Sequence, residues 1–279
     1  MTPEQGLPVL VGMDGSEQSS VAALWASEEA DLRNAPLRLV AVAQQGADEE
    51  VWEFLSEAAD RCRGERPRAE IFEEIRHGRP IEELIWVSGG AQLLVIGSRG
   101  RGRVAEAVLG SVSTAVAMHA RCPVVVVREA RSSFTPGPVV VGVDGSEPSR
   151  AALRFAFESA AARRKELVAV RVWRPIFAEY SWMDSPSGAS WFSLDDAQRE
   201  LAEELGEWRE KYPGVEVRGD VRFGHPVEEL VSAALHSQLL VVGHRGIGGF
   251  ERLLLGSVAN GVLHHVDSPV AIVRGAHAV

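Results

Sequence analysis

The segment "VLVGMDGSEQS" (Val9 to Ser19) returns as "VVVGVDGSEPS" (Val139 to Ser149), and "HGRPIEEL…QLLVIGSRGRG" returns as "FGHPVEEL…QLLVVGHRGIG". A duplication on this scale confines the 279 residues to two copies of one architecture, since each copy must bury the same hydrophobic pattern. The first pair of segments is offset by 130 residues and the second pair by 146, so the second copy carries 16 extra residues between them. Those residues fall near 173–192. Between the copies, "EARSSFTPGP" (Glu129 to Pro138) has the polar, Pro/Gly-rich composition of a linker. The expected division is a first domain over 1–130, a linker over 131–138 and a second domain over 139–279.

Each copy alternates short apolar runs with helical stretches. "PVLVGM", "LRLVAV", "AEIFEEIR", "QLLVIG" and "CPVVVV" read as five strands, several of them continuous enough in apolar residues to be covered on both faces. Helices are expected after "DGSEQSS" to about Asn34, over "EEVWEFLSEAADRC", over "IEELIWVSGG", whose "SGG" is its end, and over "SVSTAVAMHA". This βαβ alternation predicts an α/β fold with two tandem, doubly wound, five-stranded parallel-sheet domains. The fifth strands, "PVVVV" (Pro123 to Val127) and "PVAIV" (Pro269 to Val273), would be bare apolar edges, and are expected to pair with each other antiparallel.

Composition narrows the function classes. The net charge of −10, with two lysines, argues against general nucleic-acid binding, which draws on clustered basic side chains. No apolar run approaches the ~20 residues of a spanning helix, and "MTPEQGLPVL" does not read as an export signal, so the expectation is a soluble, cytoplasmic protein without a membrane partner. Cys62 and Cys122 have no metal-site or disulfide spacing and read as inert packing. No metal site and no catalytic residue are called.

The chemistry concentrates in "GSRGRGRVAEAVLGS" (Gly97 to Ser111). It is neither a P-loop, which needs Gly-Lys-Ser/Thr, nor a dinucleotide fingerprint, which follows the first strand. In an open α/β sheet, Asp14 at the end of the first strand and Gly97 at the end of the fourth converge on one crevice if those strands are neighbours. There Gly97 and Gly100 let the backbone curl, while Gly110 and Ser111 open a helix whose amides and dipole favour an anion. Ser111 and Ser113 add hydroxyls. Asp14 and Asp144 have a second reading as caps of the following helix. His119 and His265 suit the C-terminal end of the fourth helix.

The chain resembles the ATP-binding universal stress proteins. Gly97-x-x-Gly100, nine residues, then Gly110-Ser111 matches the family signature, and Gly243-x-x-Gly246, nine residues, then Gly256-Ser257 matches it again. The "DGS" turns, the "G-x-P" before the third helix and the "CP/SP-V" before the fifth strand extend the likeness over nearly the whole chain. The resemblance implies an adenosine end at Gly12, Asp14 and Val42 and, in the second copy, at Gly142, Asp144 and Val172. It implies ribose and phosphate contacts at Gly97, Arg99, Gly100, Gly110, Ser111, Val112 and Ser113, and at Gly243, Arg245, Gly246, Gly256, Ser257 and Val258. The implied ligand is ATP, with any Mg²⁺ held by the phosphates; AMP and cyclic AMP stay open, as does a homodimer of whole chains.

The second copy departs from the first where Ala259 replaces Ser113 and Ile247 replaces Arg101, and the first departs from the family pattern at Arg103. Arginines neutralise phosphate in the ground state as well as the transition state, and Glu106 is the one acid near the loop, so holding is better supported than turnover. A nucleotide-dependent regulatory or stress-response module is the leading expectation. The alternatives are a slow ATP hydrolase or nucleotidyl-transfer enzyme, and a scaffold with residual sites. The aromatic-rich insert after the seventh strand, "WRPIFAEYSWMDSPSGASWF", is expected to be a lid, a partner surface or simple packing.

Overall fold

A computed structural model describes residues 6–44, 46–100, 109–128, 137–173, 194–247 and 254–275. The first copy runs β1 (Val9–Met13), α1 (Glu17–Leu32), β2 (Leu37–Ala43), α2 (Asp48–Glu65), β3 (Ile71–His77), α3 (Pro80–Ser88), β4 (Leu93–Gly97), α4 (Ser111–His119) and β5 (Val124–Val127). The second runs β6 (Val139–Gly142), α5 (Glu147–Arg163), β7 (Leu167–Trp173), α6 (Leu194–Lys211), β8 (Val217–Phe223), α7 (Pro226–Ala234), β9 (Leu239–Gly243), α8 (Ser257–His265) and β10 (Val270–Val273). Most of the linker and all of the insert except Trp173 lie outside the described residues, so the lid reading is not addressed. Trp173 itself stacks obliquely on Phe223, with centroids 5.7 Å apart.

The ten strands among the described residues join one sheet, in the order β3-β2-β1-β4-β5-β10-β9-β6-β7-β8. Pairing is parallel within each copy and antiparallel only where β5 meets β10, with Val126 opposite Val270 and Val124 opposite Ile272. The two valine-rich edges cover each other, which removes the unpaired backbone row that each would otherwise expose.

Strand alternation divides the interior into two cores. Val9, Val11, Leu93 and Val95 face α1 and α2, and the same core continues through Phe155 and Phe157 of α5 to Leu201 and Leu205 of α6. Leu10, Leu94 and Ile96 face α3 and α4, and that core continues to Leu230 of α7 and Val262 of α8. Continuous apolar strands such as "LLVIG" are therefore buried on both faces. Cys62 and Cys122 are packing residues: burial pushes their thiols up to about 11 and about 12. Among the described residues no helix is long and apolar enough to cross a membrane.

The copies also meet through α1 and α5. Arg33 lies 4.9 Å over the Phe155 ring and Arg163 lies 5.7 Å over the Trp25 ring, a reciprocal exchange because Trp25 and Phe155 are repeat equivalents. Between them sits Glu29, 1% exposed, which accepts from Arg33 Nε at 2.5 Å and from Arg163 Nη2. The equivalent of Glu29 in α5 is Ser159, so one carboxylate serves two guanidiniums. Such a cluster is a weak source of net stability but is costly to break, since removing one partner strands a buried charge.

Candidate functional site

The order of the sheet reverses at β1, which pairs in parallel with β2 on one side and β4 on the other, with Gly12 opposite Ile96. The carboxyl ends of β1 and β4 therefore splay α1 and α4 apart and leave a crevice at the switch point. A cavity of about 300 Å³ occupies it. All ten first-copy residues expected at the site line this cavity: Gly12, Asp14, Val42, Gly97, Arg99, Gly100, Gly110, Ser111, Val112 and Ser113. Val40, Leu84 and Ile96 complete an apolar end, while the glycines and the start of α4 form a polar one.

Asp14 is not the helix cap. Ser16 caps α1, accepting from the Ser19 amide at 3.2 Å, and Asp14 Oδ1 holds Ser16 by accepting from its amide at 3.0 Å and its hydroxyl at 2.6 Å. Gly15, at φ +75°, makes the turn between them, a conformation that favours glycine. The other carboxylate oxygen faces the glycine loop, so closely that a Cβ on Gly100 would fall 2.2 Å from Asp14 Oδ2. A Cβ on Gly97 would meet the Gln18 backbone of α1 at 3.0 Å. These glycines let the loop pack on α1 and Asp14.

Two bonds stitch the loop's ends together. The Gly110 amide donates to the Ser98 carbonyl at 2.9 Å, and the buried Ser113 hydroxyl donates to the Gly97 carbonyl at 2.8 Å. Ser113 thus closes the loop base, so its hydroxyl proton is committed within the protein. Unlike α1, α4 begins at Gly110 with no side-chain cap, which leaves the amides of its first turn open to an acceptor from the cavity.

The second copy repeats the scaffold. Ser146 caps α5, accepting from Ser149 N, and Asp144 accepts from the Ser146 amide at 3.0 Å and from the Ile247 amide at 2.8 Å. A Cβ on Gly246 would again lie 2.2 Å from the aspartate, and one on Gly243 would meet Pro148 of α5 at 2.9 Å. Gly256 donates to the His244 carbonyl at 2.7 Å and starts α8 without a side-chain cap, with Ser257 and Val258 in its first turn. Here the side chains diverge. Ala259 cannot make the serine tie, buried His244 replaces Ser98, and Arg245 Nε donates to His244 Nε2 at 3.0 Å. Ile247 is 73% exposed beside the loop. Gly142 and Val172 keep the places of Gly12 and Val42, with Gly142 against Leu230 as Gly12 is against Leu84.

Arg101, Arg103 and Glu106 lie outside the described residues. Pro80 and Leu84 of α3 line the first cavity without having been named as site residues; the "G-x-P" before α3 was their signal. Among the described residues no three His, Cys, Asp or Glu side chains gather to hold a metal ion.

The universal stress protein family model matches residues 7–128 and again 137–274. A universal stress protein of Mycobacterium tuberculosis is 34% identical over 98% of this chain and 98% of its own length. One from Mycolicibacterium smegmatis is 35% identical over 95% of this chain and 96% of its own. Among solved structures, a universal stress protein from Archaeoglobus fulgidus shares the fold with a TM-score of 0.73 at 21% identity, covering 99% of this chain and 98% of that one. Two matches in tandem, and relatives alike from end to end, make this chain a member of the universal stress protein family with two copies of the family's domain.

Proposed function

We propose that the chain is an adenine-nucleotide-binding regulatory protein, with ATP held in the first-copy crevice and the nucleotide state setting its shape or partners. One observation carries this reading: the cavity joins an apolar end, suited to a base, to a glycine loop and an uncapped helix start, suited to phosphates. Its volume of about 300 Å³ meets the lower range of small-molecule sites. Val40, Val42 and Leu84 would contact the base; Gly100, Arg99 and the Gly110 to Ser113 turn would hold ribose and phosphates. A Mg²⁺ ion would be carried by the phosphates. The two domains divide at 131–138 in this reading, and the second crevice binds more weakly because Ala259 and Ile247 stand where the first copy has Ser113 and Arg101. Mass spectrometry of the purified protein, followed by calorimetric titration with ATP, AMP and cyclic AMP, tests it. ATP bound without multiple-turnover release of ADP is the expected result; sustained ADP release would instead make the protein a slow hydrolase, and no binding would leave a scaffold.

A further inference from the structure

The helices that open the two cradles each end against the opposite copy. Arg128, just after β5, donates from Nη2 to the Leu263 carbonyl in the last turns of α8 at 2.5 Å. Arg274, just after β10, donates from Nη2 to the Ala117 carbonyl of α4 at 3.3 Å and to the Met118 carbonyl. Arg128 and Arg274 are repeat equivalents, and so are Ala117 and Leu263, so the exchange is reciprocal. Guanidiniums at these places satisfy carbonyls near the helix ends and oppose the negative end of each dipole.

Each of these arginines also sits beside the glycine loop of its own copy: the Ser98 amide donates to the Val127 carbonyl at 2.8 Å and the His244 amide to the Val273 carbonyl at 2.8 Å, which sets Arg128 next to the Ser98–Arg99 step and Arg274 next to the His244–Arg245 step. Burial lowers Arg128 from the ordinary arginine value, Asp267 opposes the shift and Arg99 adds to it. Burial likewise lowers Arg274, and Arg245 adds to that. Each arginine therefore stands between the loop arginine of its own crevice and the helix that forms the other crevice.

We propose that Arg128 and Arg274 are positioning residues that couple the two cradles, so that an anionic nucleotide in one copy favours binding in the other. This rests on the reading of the crevices as adenine-nucleotide sites. A phosphate near Arg245 offsets the repulsion between the two guanidiniums and so lets Arg274, charged throughout, sit more firmly on the α4 carbonyls. Because α4 is nine residues long, about 13 Å, holding its C-terminal end directs the Ser111 to Ser113 amides at the other. The mirror route runs from Arg99 through Arg128 to α8 and Ser257. Direct attraction between Arg274 and a phosphate in the first crevice is minor, since the helix is longer than the Debye length of about 8 Å at physiological salt. Linkage makes the coupling equal in both directions.

ATP titrations followed by amide NMR separate the sites, with Gly97, Gly110 and Ser113 reporting the first and Gly243, Gly256 and Ala259 the second. Arg274→Gln should weaken the first crevice about fivefold and the second, in its own copy, by less than about twofold; Arg128→Gln should do the reverse. Arg274→Lys keeps a charge and donors near the α4 carbonyls and should recover most of the first-crevice affinity, which a packing role alone would not give. If a glutamine variant does not fold, Arg274→Met and Arg128→Met, which keep an apolar stem and lose the donors, carry the same crossed comparison. Weakening confined to the substituted copy, equal weakening of both crevices, or no change in either overturns the coupling. A wild-type protein whose crevice amides respond to neither ATP, AMP nor cyclic AMP overturns the nucleotide reading and the coupling with it.

Discussion

In the first copy Ser113 ties α4 to the end of β4 and Ser98 lies under the loop; in the second, Ala259 and His244 stand at those places. Yet Gly100 and Gly246 approach Asp14 and Asp144 with the same 2.2 Å Cβ clearance, and Gly97 and Gly243 press on the starts of α1 and α5 alike. The contacts that shape the backbone have been kept in both copies, while the side chains that complete the crevice have diverged. A second divergence sits between the copies, where Glu29 faces two arginines and its counterpart is Ser159. The duplication is thus symmetric in its turns and asymmetric in its charges.

Removing Glu29 should test that charge asymmetry with the largest effect. Glu29→Ala leaves Arg33 and Arg163 buried together and should cost about 3–5 kcal/mol in urea unfolding. Moving the carboxylate across the axis, with Glu29→Ser and Ser159→Glu in one chain, should recover more than half of that loss. A loss below about 1 kcal/mol for Glu29→Ala would reduce the cluster to the level of an exposed pair. The same group sets an acid limit. Burial alone would raise its carboxyl, but Arg163 and Arg33 outweigh burial and hold it below the ordinary 4.5. The unfolded chain therefore takes up the proton first, so the contribution is complete above about pH 4.5 and is lost as pH falls through the lower folded value. Glu29→Gln should flatten that part of the stability profile.

Next in size are the loop glycines, where the copies should agree in stability and differ in binding. Gly97→Val and Gly243→Val each force a side chain against the backbone of the adjacent helix start, and each should cost about 1–3 kcal/mol in thermal or urea unfolding. In calorimetry, Gly97→Val should weaken overall ATP binding by about tenfold or more, because it displaces α1 from the more complete crevice; Gly243→Val should leave the tighter event in place. The reverse order would make the second crevice the main site.

The parts legible in the sequence are those set by local pattern. "QLLVIG" reads as a strand covered on both faces because nothing in it could face water, and paired valine edges must find each other because neither can stay bare. Asp14 was ambiguous between ligand and cap because Ser16, the residue that does cap α1, is its neighbour in the same turn, and the loop at Gly100 that packs on its other oxygen follows a strand far along the chain. Glu29 was hidden for the same reason. In "ASEEADLRN" the i,i+4 spacing pairs Glu29 with Arg33, but nothing local marks that pair as buried, and the second arginine lies 134 residues away. Arg128 and Arg274 look like solvated residues at strand ends until β5 and β10 pair.

The smallest and most selective comparison exchanges one hydroxyl. Ser113→Ala removes the buried bond to the Gly97 carbonyl, a net loss of about 0.5–1.5 kcal/mol. That bond is already made without ligand, so most of the loss should appear in stability, and ATP affinity at the first crevice should fall by only about threefold. Ala259→Ser should do the opposite, since Ala259 is buried at the equivalent place and a hydroxyl there can reach the Gly243 carbonyl as Ser113 reaches Gly97. If the added serine strengthens ATP binding at the second crevice, the missing tie accounts for part of its weakness. If it stabilises the fold and leaves binding unchanged, the deficit lies with His244 and its hold on Arg245, and His244→Ser becomes the substitution that should restore it.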